Sequence, residues 1–280
     1  MNLRDHWFDL LPDLNMSVPF DLSQATQVVF RVGSHSHGTY IPPVDEFGVD
    51  DVDLMVICVP PPKFRLGLKE WTHGDYKHGR HDVVLYEWGK WLHMLRKSNP
   101  NVLGTLWLHP DDVLDTPRMY SIDAFPPYER LVAGREKLLS KQMYPAFIGY
   151  ARGQLYKMTH HAHQGYMGDK RKRLVEQFGY DVKNAAHMIR LLRMACEAFE
   201  SNRISVRRPD AAELVDIKQG KWSLEQVVAE ADKLFARAEG ALAKTSLPEY
   251  PDDLFIQRIM LSGYAHGWGW RTIEEGIILH

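Results

Sequence analysis

Two acidic residues at the start of an apolar segment are the first candidates for chemistry in this sequence. Asp51 and Asp53 precede and open residues 52–59, VDLMVICV, a nearly continuous apolar run typical of a buried strand. Because side chains alternate across a strand, both carboxylates point to the same face. Two neighbouring acids repel each other unless a cation lies between them, and carboxylate oxygens suit magnesium and manganese. The sequence therefore predicts that Asp51 and Asp53 bind Mg²⁺ or Mn²⁺.

A third carboxylate would complete such a metal site. Asp82 opens the next strand-like segment, residues 81–88, HDVVLYEW, and it joins the pair if the two strands are neighbours. Glu87 is the alternative, but it lies five residues further along and on the opposite face of the strand. We favour Asp82 as the third metal ligand. Asp45 and Asp50 are interpreted as loop acids.

A glycine and a serine precede these acids. Gly33 and Ser34 directly follow the β-branched run VVFRV, residues 28–32, which predicts a strand ending at a tight turn. Glycine lets a ligand approach the backbone closely, and the Ser34 hydroxyl with nearby N–H groups can bind a phosphate. Three carboxylates near a phosphate-binding turn are the arrangement required for two-metal phosphoryl transfer. Asp51, Asp53 and Asp82 are accordingly the predicted catalytic residues.

The second half of the chain has helical periodicity and few strand signals. Residues 136–164, 181–200 and 223–243 are predicted helices, and Ser223 with Gln226 forms a capping box before the third. The change in composition places a boundary within residues 117–131. We therefore predict an α+β protein, with a palm of mixed sheet and helices over residues 1–130 and a helical domain over residues 131–280.

One helix of the second half carries a polar stripe. In YDVKNAAHMIRLLR, the residues Lys183, His187 and Arg190 stand at positions i, i+4 and i+7 on one helix face. Long cations on this face can close over a triphosphate bound at the palm, although a solvated helix face has the same pattern. We predict that the three residues bind the nucleotide, and Arg193 extends the run.

Other basic and histidine-rich segments are interpreted conservatively. The run DKRKR, residues 169–173, is expected to be a solvated loop rather than an RNA contact, and Arg207 and Arg208 are equally ambiguous. The histidines carry no cysteine or carboxylate in ligand register, so zinc is not expected. These histidines are His35, His37, His160, His161 and His163.

Composition narrows the protein class. The chain has 280 residues, 45% of them hydrophobic and 25% charged, which is ordinary for a globular protein. The net charge of −2 argues against a generally basic nucleic-acid-binding surface. Two distant cysteines, no signal peptide and no apolar run long enough for a bilayer predict a cytoplasmic protein without membrane contact.

These motifs resemble the DNA polymerase beta-type nucleotidyltransferase superfamily, which combines a Gly-Ser turn, a DxD strand and a later acid. More narrowly, the chain resembles predicted nucleotidyltransferases associated with RNA repair and RNA ligases. That resemblance spans residues 32–252 and is carried by GSHSHGT, DVDLMVI, DVVLYEWGKW, NPNVLGTLW, FIGYARGQLYK, YDVKNAAHMIRLLR, RRPDAAELVDIKQGKWS and LPEYPD. It implies a polymerase beta-like palm before a helical domain, magnesium, and a nucleoside triphosphate such as ATP.

The expected function is transfer of a nucleoside monophosphate from a nucleoside triphosphate to an acceptor hydroxyl. The resemblance points to an RNA 3′ end as acceptor, and therefore to RNA as a partner in RNA repair. Nucleotidylation of a protein or small molecule uses the same palm chemistry, and the weak net charge favours it. A non-catalytic nucleotide-binding module is the third alternative, against which the presence of all three acids argues.

Overall fold

The computed structural model describes residues 3–42, 44–47, 50–115, 126–159, 169–273 and 276–278. Within these ranges, no helix combines the length and the apolar character needed to cross a bilayer.

A mixed sheet lies in the first half of the chain. Its strands are β1 (Thr26–Arg31), β2 (Val52–Cys58), β3 (His73–His78), β4 (His81–Glu87) and β5 (Val113–Asp115). Their order is β3-β4-β2-β1-β5; β2 and β4 are parallel, and the other neighbours are antiparallel. The sequence predicted β1, β2 and β4. It missed β3, whose polar residues form an exposed edge strand, and β5, which has only three residues.

The two faces of the sheet pack against different partners. On one face, Val29, Leu54 and Leu85 belong to a buried cluster with Trp7 and Leu10. Those two residues lie on α1 (Leu3–Ser17), which is followed by the short α2 (Leu22–Ala25). The opposite face belongs to the larger core shared with the second half of the chain.

Helices dominate the remainder. They are α3 (Gly33–His37), α4 (Trp88–Arg96), α5 (Pro127–Ala133), α6 (Met143–Thr159), α7 (Asp169–Phe178), α8 (Val182–Ser201), α9 (Ala211–Lys218), α10 (Leu224–Leu242) and α11 (Asp253–Trp268). Short 3-10 helices span Pro62–Phe64, Leu103–Trp107, Pro110–Asp112 and Arg135–Leu138, and β6 (Arg271–Ile273) pairs with β7 (Gly276–Ile278).

Helix α8 is the centre of the helical half. It packs against α6, α9 and α10, because its buried apolar residues cover most of its circumference. Asp181 caps its first turn by accepting a hydrogen bond from the Asn184 N–H. The predicted capping box of Ser223 and Gln226 is confirmed at the start of α10.

The α+β fold is confirmed, and two local predictions are wrong. The helix predicted over residues 136–164 begins only at Met143, as α6, after a short 3-10 helix. The run from Asp169 to Arg173 is the first half of α7 rather than a loop, because the apolar residues that follow it anchor a helix whose Leu174 is buried.

The larger core is continuous from Phe30 and Met55 of the sheet to Leu191 of α8. The domain limits, residues 1–130 and 131–280, stay a prediction.

Candidate functional site

Strand register brings the predicted acids together. Strands β2 and β4 are parallel neighbours, and Asp53 and Asp82 are direct partners across them. The condition on which Asp82 depended is therefore met. Glu87 pairs with Cys58 at the far end of the same strands, about 17 Å along β4 from Asp82. Its buried carboxylate accepts hydrogen bonds from the Tyr264 hydroxyl at 2.5 Å and the Lys90 N–H at 2.8 Å, so it is engaged elsewhere.

A lysine on β3 lies between two of these acids. The Lys77 ammonium is 3.1 Å from the Asp51 Oδ2 and 3.2 Å from the Asp82 Oδ1. Its hydrogen bonds to Asp51 and Asp82 raise the pKa of Lys77. In the described part of the chain, no three His, Cys, Asp or Glu side chains already stand in metal-binding geometry. The acids are thus assembled beside one another with Lys77 as their present counter-charge.

Asp53 is electrostatically perturbed by its surroundings. Burial, reinforced by the negative charges of Asp82, Asp50 and Asp51 and opposed by Lys183, raises the pKa of Asp53 to about 6. A buried carboxylate surrounded by other acids is stabilised in its charged form by a hard cation. The donor set therefore fits Mg²⁺ or Mn²⁺, with Asp51, Asp53 and Asp82 supplying the oxygens.

Gly33 and Ser34 lie directly against this acid. Glycine is required at position 33 for two reasons. Its φ of +66° is rarely adopted by other residues, and a Cβ at this position would collide with the Asp53 carboxylate. The Val32 N–H donates to the Asp53 backbone oxygen at 2.9 Å, which fixes the turn against β2. The Ser34 Oγ is buried and makes no hydrogen bond to any described residue. A buried hydroxyl of this kind is costly unless a ligand satisfies it.

One cavity of about 750 Å³ collects most of the predicted site residues. It is lined by Gly33, Ser34, Asp53, Asp82, Lys183, His187 and Arg190. Asp51 does not line it; its carboxylate faces Lys77, which does. Residues predicted separately from a turn, two strands and a helix of the second half thus meet around one space of ligand size.

The polar stripe of α8 forms the buried side of that cavity. Arg190 is only 9% exposed, and its sole described hydrogen-bond partner is the Met194 Sδ at 3.3 Å. Burial, with a further contribution from Arg208, lowers the pKa of Arg190 to about 9, so it remains charged at neutral pH. Burial, with Arg190 and Lys183 nearby, lowers the pKa of His187 to about 3, which leaves this ring neutral. A solvated helix face is therefore not what the stripe forms.

Comparison with known proteins identifies the family. Residues 19–251 match the model of the RNA repair pathway DNA polymerase beta family, RlaP. The chain belongs to this family. As a member of a polymerase beta family, it is a nucleotidyltransferase-like protein, and its predicted site residues all fall within the matched segment. No protein of curated function matches the chain.

A solved structure adds a distant likeness. A nucleotidyltransferase-like protein from Exiguobacterium sibiricum shares 12% identity and covers 94% of this chain and 77% of its own, with a TM-score of 0.30.

In this family member, Asp50 of the first half and Lys218 of α9 form a buried contact that sequence reasoning missed. Asp50 is 1% exposed, and its carboxylate pairs with the Lys218 ammonium and accepts from the Ile41 N–H at 2.9 Å. Burial opposes its ionisation, but Lys218 and Lys183 outweigh this and lower the pKa of Asp50. Asp50 lies in the loop before β2, as predicted, but Lys218 of α9 covers it, so it is buried rather than solvated. The available signal was that Lys218 follows the core residue Leu214 by four positions on one helix face.

The same acid positions the stripe. The Lys183 ammonium lies 3.2 Å from the Asp50 Oδ1 and also lines the cavity. Lys218 additionally donates to the Thr39 backbone oxygen at 2.7 Å. Asp50 therefore ties α8 and α9 of the helical half to the loop that precedes β2.

The remaining basic residues of the family member are mostly structural. Arg193 donates hydrogen bonds to Asp210, Glu213 and Glu230. The buried Arg208 donates hydrogen bonds to Glu197 and Asp210. Arg171 of α7 pairs with Asp181 while also lining the cavity.

The histidines divide between described and undescribed segments. The His35 ring lies against the Tyr40 ring, with centroids 3.7 Å apart and planes tilted by 30°. The His37 Nδ1 is 2.9 Å from the Val206 backbone oxygen. His160, His161 and His163 lie outside the described residues.

Proposed function

We propose that the protein is a Mg²⁺- or Mn²⁺-dependent nucleotidyltransferase, which moves a nucleoside monophosphate from a nucleoside triphosphate to the 3′ hydroxyl of an RNA. The chemistry follows from the site, and the RNA acceptor follows from the family description, which names an RNA repair pathway.

The observation that carries the proposal is that acids and a buried arginine line one cavity. Asp53 and Asp82 line it together with the buried Arg190 and the half-exposed Lys183. A buried guanidinium without a carboxylate partner is destabilising unless an anion binds it. A triphosphate with its metal ions fits such a cavity, because a phosphate can pair with Arg190 and the metal ions can bind the acids.

The residues divide the reaction between them. Arg190 and Lys183 would bind the phosphate oxygens, and the neutral His187 and the Ser34 hydroxyl would add hydrogen bonds. Asp51 and Asp53 would hold both metal ions, which supply charge neutralisation and activation of the attacking hydroxyl. Asp82 would assist removal of the proton from that hydroxyl. The acceptor oxygen attacks the α-phosphorus, the bond to the bridging oxygen breaks, and pyrophosphate leaves.

Lys77 changes partners in this scheme. It neutralises Asp51 and Asp82 in the absence of a cation, and its exposed side chain can swing away when divalent ions bind. The released ammonium then lies next to the site, where it can contact a phosphate of the acceptor.

Transfer of label to RNA tests the proposal. The protein is incubated with each α-labelled nucleoside triphosphate, Mg²⁺ or Mn²⁺, and either single-stranded RNA or a protein mixture. We expect label on the RNA 3′ end and no transfer by an Asp51→Ala/Asp53→Ala variant. Glu46→Gln removes one exposed acid of the preceding loop and serves as the control for loss of a nearby surface charge.

Two results would count against the proposal in different ways. Label on protein instead of RNA would preserve the palm chemistry and replace the acceptor. The absence of transfer to any acceptor, with unchanged triphosphate affinity in the Asp51→Ala/Asp53→Ala variant, would refute nucleotidyl transfer altogether.

A further inference from the structure

The cavity continues past the carboxylates, along the sheet and away from the cationic side. Asp50, which pairs with Lys183, comes three residues before Asp53 in the sequence. Tyr86 comes four residues after Asp82 on β4. Because β2 and β4 run in the same direction, the Asp50–Lys183 pair lies on one side of the acids and Tyr86 lies on the other. The cavity reaches both, since Lys183 and Tyr86 each line it.

Strand pairing shows what this second side consists of. Three rows cross β3, β4 and β2 on one face: Lys77–Asp82–Asp53, then Asp75–Val84–Met55, then His73–Tyr86–Ile57. The first row carries the predicted metal ligands. The second presents an apolar floor of Val84 and Met55 beside Asp75, and all three of these line the cavity. The third row ends in two rings.

Those rings form a flat pair at the open edge of the sheet. The ring centroids of His73 and Tyr86 are 6.5 Å apart with planes 27° from parallel. His73 is exposed and Tyr86 is partly buried, so part of the pair is accessible to solvent. Tyr86 packs against the larger core and lines the cavity, and His73 adjoins it at the edge of the sheet, where its Nδ1 lies 3.2 Å from the Thr72 hydroxyl.

We infer that the His73–Tyr86 pair is the acceptor subsite, on which a base near the 3′ end of a single-stranded RNA stacks. This inference rests on the proposed function and specifies its second substrate. Tyr86 lies about 13 Å along β4 from Asp82, which leaves space for the sugar that bears the attacking hydroxyl between the rings and the acids. Stacking tolerates every base because each has a π-face, so the subsite binds RNA without reading its sequence.

One cation beside the acids agrees with a nucleic acid end. Lys77 stands in the same row as Asp82 and Asp53, at the β3 edge of the sheet, and is 64% exposed. Once its carboxylate partners hold metal ions, it is the cation next to the acceptor backbone. A protein acceptor would use a different feature, the outer edge of β3, which pairs with no other strand of the described residues and to which an extended peptide can add as a further strand. Binding of such a peptide depends on backbone pairing and is insensitive to the two rings.

Direct binding tests the inference without catalysis. The probe is a 5′-fluorescent single-stranded oligoribonucleotide of roughly 10 nucleotides, compared with the same oligomer whose two 3′-terminal nucleotides are abasic. Fluorescence anisotropy gives the Kd in Mg²⁺ without triphosphate. We expect Tyr86→Ala to weaken binding of the normal RNA about 5- to 150-fold, and Tyr86→Phe to stay close to wild type. Tyr250→Ala, which removes an exposed tyrosine remote in sequence, is the matched control.

The abasic RNA keeps the test valid if Tyr86→Ala folds poorly. The unchanged protein should bind abasic RNA as weakly as Tyr86→Ala binds the normal RNA, and the two changes together should add little more. Equal wild-type affinity for normal and abasic RNA would overturn the inference, as would a folded Tyr86→Ala protein with wild-type affinity. Triphosphate affinity is measured in the same variants. Its loss on Arg190 substitution reports on the proposed function, whereas the RNA affinities report on the rings.

Discussion

Arg190 is buried without an ion pair to any described residue, which leads to an unusual expectation for the substitution Arg190→Met. Methionine keeps the unbranched shape and packs against the apolar residues that already surround the stem of Arg190 on α8. It removes the guanidinium, for which the described residues supply no carboxylate hydrogen bond. We expect the variant to be more stable than the parent protein and unable to bind triphosphate tightly.

The magnitude follows from the electrostatics of the side chain. An ordinary arginine titrates above about pH 12, whereas the pKa of Arg190 is lowered to about 9, and each tenfold change in protonation corresponds to about 1.4 kcal/mol. The cost of the buried charge is therefore on the order of 4–5 kcal/mol as an upper bound. This cost is fully present at neutral pH, because below pH 9 the Arg190 side chain is charged in both the folded and the unfolded state. The cost declines as the pH rises above 9, because Arg190 can then lose its proton in the folded state.

Relief of part of this cost should raise the free energy of unfolding by about 1–4 kcal/mol. Loss of at least one charged hydrogen bond to phosphate should weaken triphosphate binding roughly 10- to 150-fold. Urea unfolding measures the first quantity and isothermal titration calorimetry the second. Arg258→Met, at an exposed position of α11, is the matched control and should change neither. A variant that is less stable than the parent yet binds triphosphate normally would refute the reasoning.

Three further predictions concern the acids and their lysine partners. Asp53→Asn should stabilise the metal-free protein by up to about 3 kcal/mol near pH 7.5, because the raised pKa of Asp53, about 6, makes its ionised form unfavourable in the fold. That gain in stability should disappear as the pH falls through 6 to 4. An equal gain at pH 7.5 and pH 4, measured by urea unfolding, would contradict the prediction. Lys77→Met should strengthen Mg²⁺ binding, because exposed ion pairs such as those of Lys77 contribute up to about 1 kcal/mol. The Mg²⁺ concentration that gives half of the maximal thermal shift should fall by about two- to fivefold. Unchanged or weaker Mg²⁺ binding would show that Lys77 does not compete with Mg²⁺ for the carboxylates. Asp50→Asn should cost about 3–5 kcal/mol in urea unfolding because it leaves Lys218 buried without its counter-charge. Adding Lys218→Met should recover most of that loss, and a cost of about 0.5 kcal/mol or less would mean that the pair is unimportant.

Local patterns carried much of the fold. The nearly continuous apolar run after Asp51 predicted β2. Helical periodicity predicted α8 and α10, and a capping box marked the start of α10. These signals are reliable because they depend on residues a few positions apart. The polar edge strand β3 gave no such signal, because its pattern reflects exposure to solvent on a strand held mainly by pairing with β4.

Candidate site residues were also visible in the sequence as residue types at defined spacing. Asp51 and Asp53 stood out because two charges at the start of an apolar strand require a partner, and Gly33 because it follows a strand. The stripe of α8 was visible as helical spacing, but spacing alone could not separate a solvated face from a buried one. Burial of Arg190 and His187 by other elements decided that question.

Tertiary structure alone decided which of these residues meet. Asp82 joins Asp53 because β4 pairs in parallel with β2 in one register, and a shift by one residue would turn it to the other face. Asp50 and Lys218 meet across 168 positions of sequence, and no local pattern of either segment records the other. The acids could be recognised from the sequence as candidates for metal binding, because charge and spacing are properties of a short segment. Their partners, Lys77, Lys183 and Arg190, could be assigned only from the fold, because burial and ion pairing depend on which distant segments cover one another.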